Sequence, residues 1–240
     1  VKSITPILCK FAFLLGALGL SACSTQLPPS DRSAGEKAVR ELSARVRASP
    51  QLAVIFIGNS YSFGVPKGFS KVAHDQGKSV RVGHATYGGW SLSLHAENEA
   101  TLRKIREGNW DIVVIQERSD IPSMSARKRV AMMDPPLHIL ASLARQHGAI
   151  PVLYQTWGRR DGDKNVWFDS FQVMTRRLRV GYQAAARNEG GLVVAPVGDA
   201  WEREIHSGRA DELFMPDGSH PTAIGNQVTA RVFYQTFFER

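Results

Sequence analysis

Ala53-Val54-Ile55-Phe56-Ile57 runs directly into Gly58-Asn59-Ser60. Five consecutive apolar residues leave no polar face, so the run suits a strand buried on both sides, as in a parallel sheet, and Gly-Asn-Ser ends it abruptly. A strand of that kind carries the next residue to the carboxyl edge of the sheet, where sites in open α/β folds assemble. Ser60 is therefore a candidate nucleophile, and the rest of the chain can be read for a base and for donors that would serve it.

Working outward, strand patterns recur at 79–84, 111–115, 149–154 and 191–195. Helical periodicity fills the intervals, at about 33–47, 68–76, 93–107, 126–147 (with Pro135 and Pro136 inside it), 167–188, 199–207 and 221–238. Strands that alternate with helices predict an α/β fold: a three-layer α/β/α sandwich around a five-stranded parallel sheet. Ser60, Gly88-Gly89, Gln116-Glu117 and Trp157 all fall just after a strand or in the loop that follows one. No internal repeat or low-complexity segment interrupts the pattern.

At 240 residues, 43% of them hydrophobic, the chain suffices for one sizeable core. Its first residues do not read as part of that core. Lys2 and Lys10 flank and precede the apolar run 11–20, which is too short for a stable membrane span and resembles a signal-peptide core, with Val1 as a start codon read literally. Leu20-Ser21-Ala22-Cys23 behind it resembles a bacterial lipobox, which implies a lipid on Cys23 and a membrane partner through that lipid. Ser24 in place of aspartate implies sorting to the outer membrane. The expected division is a signal peptide over 1–22, a polar, proline-bearing tether over 23–35 and a folded domain over 36–240. Cys9 and Cys23 are the only two cysteines, so the expected mature domain has no disulfide and depends on packing.

The formal charge is +8, and removal of Lys2 and Lys10 leaves 8 − 2 = +6. The basic residues are scattered over helix faces instead of forming a stripe interleaved with aromatics. Solvated helix faces account for them, and nucleic acid is not an expected partner. A cationic surface does suit anionic lipid headgroups.

Near the far end, Pro216-Asp217-Gly218-Ser219-His220-Pro221 sets an aspartate three residues ahead of a histidine. An aspartate there can fix the tautomer of the ring while its other nitrogen faces a serine. On its own the pair equally suits a helix cap beside a surface histidine. Together with Gly58-Asn59-Ser60, however, it resembles the two end blocks of the SGNH hydrolases, the GDSL-like esterases and lipases. That resemblance runs from Ala53 to the terminal helix.

The resemblance implies Ser60 as nucleophile, His220 as base and Asp217 as its acid partner. It implies an oxyanion hole from the amides of Ser60 and Gly89, with Gly88 as the other candidate in Tyr87-Gly88-Gly89-Trp90. The family's asparagine block is replaced by Val114-Ile115-Gln116-Glu117, so Gln116 is the expected third donor. The implied reaction needs no metal or other cofactor. Its substrate is a carboxylic ester, either an O-acyl group on a glycan or a lipid ester. A second reading, prompted by the departure at Gln116, is a catalytically silent envelope lipoprotein that binds a glycan or partner. Nothing in the sequence sets the oligomeric state.

Competing chemistries lack their motifs. An α/β-hydrolase elbow needs glycine where Ser62 stands, and no His-Glu-x-x-His or cysteine cluster offers zinc a site. Three further residues have two readings each. His95 is either a packing or surface residue or a participant, Trp157 lines a cleft or packs at a rim, and Glu117 orients Gln116 or pairs with Arg118.

Overall fold

The computed structural model describes residues 29–239 of the chain, so the expected signal peptide and the Cys23 site lie outside the described residues. Five strands form one sheet: β1 (Leu52–Gly58), β2 (Val80–Thr86), β3 (Ile112–Ile115), β4 (Ile150–Tyr154) and β5 (Val193–Ala195). Their order across the sheet is β2-β1-β3-β4-β5, and every pairing is parallel. This is the predicted α/β sandwich, with β1 in the interior of the sheet and its carboxyl end at the crossing point of the connections.

The continuous apolar runs arise because both faces are covered. Along β1, Val54 and Phe56 point into one core and Ile55 and Ile57 into the other, all fully buried. In β3, Ile112 and Val114 alternate with Val113 and Ile115 in the same way. The first layer is closed by α1 (Pro29–Ala48), α2 (Val65–Asp75), α7 (Val197–His206) and α9 (Ala223–Phe238). The second is closed by α3 (Leu92–Glu97), α4 (Glu99–Glu107), α5 (Ala126–Gln146) and α6 (Phe171–Asn188). A short α8 (Ala210–Leu213), which the periodicity did not indicate, precedes the Asp217-His220 loop.

Several boundaries differ from expectation for local reasons. α1 begins at Pro29, inside the stretch read as tether and ahead of 33, because proline at a first helical position forfeits no hydrogen bond and Asp31 sits in the first turn. The helix expected over 93–107 is two helices. Asn98 has an extended backbone and caps the second with its side chain, accepting from Thr101 N at 2.9 Å. α9 starts at Ala223 instead of 221 because Thr222 Oγ1 accepts from Gly225 N at 3.1 Å. Among the described residues, no helix is long and apolar enough to cross a membrane.

Candidate active site

β1 ends at Gly58, and the chain turns at once into a single 3₁₀ turn over Ser60–Ser62. Asn59 makes the turn possible. Its Oδ1 accepts from Tyr61 N at 3.1 Å, and its Nδ2 donates to the carbonyl of Trp90 at 3.1 Å. One amide thus ties the turn that carries Ser60 to the double-glycine loop after β2. An aspartate in this place would meet the Trp90 carbonyl with a second acceptor, which accounts for asparagine here.

At the other end of the chain, residues 213–222 fold back as a tight loop. Phe214 bridges Pro221, Met215 N donates to His220 O at 2.8 Å, and Gly218 turns at φ +66°. The loop sets Asp217 against His220: Nδ1 lies 2.5 Å from Oδ2, and Oδ1 accepts the backbone N–H of both Ser219 and His220 at 2.9 Å. Partial desolvation works against the charge of Asp217. The bonds from His220 N, the His220 ring and Ser219 N prevail, holding its carboxyl down at about 2. An ionised Asp217 fixes the proton on Nδ1, which leaves Nε2 as an acceptor. Nε2 lies 2.9 Å from Ser60 Oγ, so the serine hydroxyl donates to it. Residues 160 positions apart thus meet in one serine–histidine–aspartate chain of hydrogen bonds.

The histidine loop is braced from behind. Trp157 is fully buried, donates from Nε1 to Ser219 O at 3.0 Å, and stacks between Tyr61 at 4.7 Å and Trp201 at 3.8 Å, nearly parallel to both. It is core packing that holds the loop, not a cleft wall. Tyr61 Oη also bonds Ser219 Oγ, and Arg160 N donates to Gly218 O at 2.7 Å. These contacts couple the Ser60 turn, the loop after β4 and the histidine loop into one body.

On the opposite side of Ser60, Tyr87 N donates to Gly58 O and Trp90 N to Tyr87 O, with Gly89 at φ +74°. In that arrangement the N–H groups of Gly89 and Ser60 have no acceptor among the described residues. Gln116 has a different position from the expected one. Its Oε1 accepts from Asn59 N and from Ser62 Oγ, both at 2.9 Å, and its Nε2 donates to Glu117 O at 2.7 Å. The amide is buried beneath the turn, and two donors converging on one of its atoms fix its orientation. Gln116 therefore supports the Ser60 turn from below, with its amide bonded to Asn59, Ser62 and Glu117.

His95 and Glu117 are both fully buried, which rules out a surface role for either. The His95 ring bridges Gly58 O at 2.9 Å and Thr101 Oγ1 at 3.2 Å and packs against Tyr87 and Trp90. Desolvation pushes it down to about 4, against the opposing pull of the Gly58 carbonyl, so it is neutral and donates from Nε2. Glu117 accepts from Leu92 N at 3.1 Å and Arg118 N at 2.6 Å, while Arg118 pairs with Asp120. Burial raises the Glu117 carboxyl to about 8 despite those two bonds. It pins the start of α3 and with it the Gly88-Gly89 loop. Sequence reasoning missed these supporting roles of Asn59, Gln116 and Glu117; a Gly-Asn-Ser block paired with a Gln-Glu block at the next strand end was the available signal. Among the described residues, no group of three or more His, Cys, Asp and Glu is placed to hold a metal.

No protein-family model matches the chain, and no curated protein matches it. Solved structures do. A DUF4886 family protein from Bacteroides uniformis superposes with a TM-score of 0.69 at 19% identity, over 79% of this chain and 84% of that one. TesA superposes at 0.56 with 18% identity, over 78% and 98% of the two chains. An acetylxylan esterase from Geobacillus stearothermophilus, solved as a catalytic mutant, gives 0.56 at 15% identity, over 78% and 94%. At such identities the likeness is one of fold. The chain has an SGNH hydrolase-like fold, and its structural neighbours include GDSL-like lipases and esterases.

Proposed function

We propose that the protein is a serine esterase that hydrolyses carboxylic esters through an acyl-Ser60 intermediate. The observation that carries this reading is the 2.9 Å approach of Ser60 Oγ to a His220 ring whose other nitrogen is held by Asp217. In the first half-reaction the Ser60 proton passes to His220 Nε2 as Oγ bonds the ester carbonyl carbon. The oxyanion that forms is met by the free N–H groups of Ser60 and Gly89. Collapse breaks the bond to the leaving oxygen, which takes the proton from His220 and departs as the alcohol. Water then gives its proton to His220, attacks the acyl carbon, and the released Ser60 oxygen recovers the proton as the acid leaves. Asp217 stays charged throughout.

The neighbours named as lipases and as acetylxylan esterases support ester substrates of either a lipid or an acylated glycan. Hydrolysis of short-chain p-nitrophenyl esters tests the reading: turnover in the wild type and a loss of about a thousand-fold or more in Ser60→Ala support it. Equal rates in the two proteins would favour the alternative of a silent binding scaffold. That alternative draws on Gln116, whose amide is committed to the turn and leaves the oxyanion site with backbone donors.

The same proposal takes Leu20-Ser21-Ala22-Cys23 as a lipobox and the mature protein as exported and anchored in the cell envelope through Cys23, facing the periplasm from the outer membrane. Labelled palmitate enters the wild type and is absent from Cys23→Ala on this reading; label retained in the variant would refute the anchor.

A further inference from the structure

The loop between β4 and α6 leaves the sheet at the same carboxyl edge as Ser60 and ends in an apolar tip. Trp167 is 89% exposed and Phe168 94% exposed, with Val166 beside them at 42%. Burial of large aromatic surface is among the strongest gains a fold can make, so two bare rings side by side call for an apolar environment outside the protein. The backbone is shaped to display them. Phe168 sits at φ +55°, a left-handed conformation that a bulky side chain adopts only when its surroundings enforce it.

The enforcing contacts are explicit. Asp169 takes a two-point bond from Arg177, at 2.6 and 2.8 Å, and accepts Asp163 N at 2.6 Å. Asp163 in turn holds both nitrogens of Asn165, and Arg177 Nε is tied to Ser123 O. The side chains of Asp163, Asn165 and Asp169, which flank the rings, are therefore spent on holding the loop.

We infer that the Val166-Trp167-Phe168 tip inserts into an anionic lipid surface and turns the Ser60 face of the molecule toward the bilayer. Three observations select this occupant. The rings meet at 72° with centroids 6.1 Å apart, which forms a wedge and not the flat platform on which a sugar ring stacks. A glycan would also need carboxylate and amide partners beside the rings, and those of Asp163, Asn165 and Asp169 are engaged. Finally, exposed cations that form no ion pair among the described residues lie on the loop and on the elements to which Arg177 ties it: Lys164 within the loop, Arg176 next to Arg177 on α6, and Arg127 and Lys128 at the start of α5, just after Ser123. Of the loop's carboxylates, Asp163 and Asp169 are paired with arginines, and only Asp161 is exposed. The balance favours headgroups with negative charge. A tip of this size is also small beside the ~800 Å² per partner of a standard protein interface, whereas insertion of two aromatic residues needs no wider patch.

The experiment is quenching of tryptophan emission by brominated acyl chains. Full-length wild type and Trp167→Phe are each mixed with phosphatidylglycerol–phosphatidylcholine vesicles carrying the bromines, so the difference between the two reports Trp167 alone. The expected result is strong quenching of that difference signal, a fall of about ten-fold in the lipid concentration dependence for Phe168→Ser, and weaker quenching in vesicles of phosphatidylcholine alone. Both rings are solvated, so neither variant disturbs folding. A difference signal that the brominated vesicles leave unquenched, as for a chain held only by its N-terminal segment, overturns the inference. A response of Trp167 to soluble xylo-oligosaccharide in place of vesicles overturns it equally. Ser60→Ala retains the quenching, so failure of the esterase reading and failure of this one are separate results.

Discussion

Gln116 shows how a single side chain's partners decide its role. Its amide accepts from Asn59 N and Ser62 Oγ and donates to Glu117 O, three bonds that hold the turn beneath Ser60. Gln116→Ala therefore strands a buried N–H, a hydroxyl and a carbonyl, and loses about 2–4 kcal/mol of stability along with activity. A residue acting only as an oxyanion donor would lower kcat by about a hundred- to a thousand-fold with stability intact. Urea melts run beside kinetics on the one variant separate the two. Glutamine and asparagine at a strand end look equivalent in sequence, but one added methylene places the amide differently, and only the packed turn shows where it points.

Two buried titratable residues give opposite pH signatures. His95 titrates at about 4 in the fold against an ordinary 6.5, so between those values the unfolded chain binds a proton that the folded chain refuses. Its stabilisation is complete above pH 6.5 and is lost as the pH falls through 4, by about 3 kcal/mol. Glu117 runs the other way: raised from 4.5 to about 8, its contribution is complete below pH 4.5 and is lost as the pH rises through 8. Chemical melts from pH 4 to 8 should show His95→Gln less sensitive than wild type on the acid side and Glu117→Gln less sensitive on the alkaline side. Superimposable profiles for wild type and both variants would contradict the burial argument.

At the scale of elements, the site is three loops at the carboxyl edge of β1, β2 and β4 joined to the loop before α9, and Trp157 is what locks them. It is stacked between Tyr61 and Trp201 and bonded to Ser219 O, so it registers the histidine loop against the Ser60 turn. Trp157→Leu keeps the site apolar but loses both stacks and the bond. The expected cost is about 2–4 kcal/mol, with a fall in kcat larger than any change in KM, read from thermal melts and steady-state kinetics. The strands themselves were legible. Val54, Phe56, Ile55 and Ile57 feed two cores, so their run could not be half-exposed. Helix ends were less legible, because Asn98 and Thr222 act through cap bonds that periodicity does not register. Apolar spacing extends the helix to 167 because it cannot tell a displayed ring from a buried one, whereas α6 begins at Phe171, after the tip at Trp167 and Phe168.

At the scale of the molecule, a doubly covered sheet leaves its carboxyl edge as the place where distant segments can meet, and the chain brings Ser60, Gly89 and the Asp217-His220 loop there. The Asp-x-x-His spacing was visible in the sequence, but its meaning depended on a serine 160 positions earlier, a relation set by topology. The partners of Asn59, Gln116, Glu117 and His95 were not visible, since these side chains act through hydrogen bonds to backbone groups of other elements. The Val166–Phe168 tip sits on that same edge, so substrate approach and surface attachment would share one face.

The most direct test is the reactivity of Ser60 itself. Intact-mass analysis after treatment with a fluorophosphonate, with peptide mapping of the adduct, should find one phosphonyl group on Ser60 in the wild type, none in Ser60→Ala, and sharply slowed labelling in His220→Ala. A folded wild-type protein that stays unmodified, or that carries the adduct on another serine while Ser60→Ala labels equally, would contradict the account.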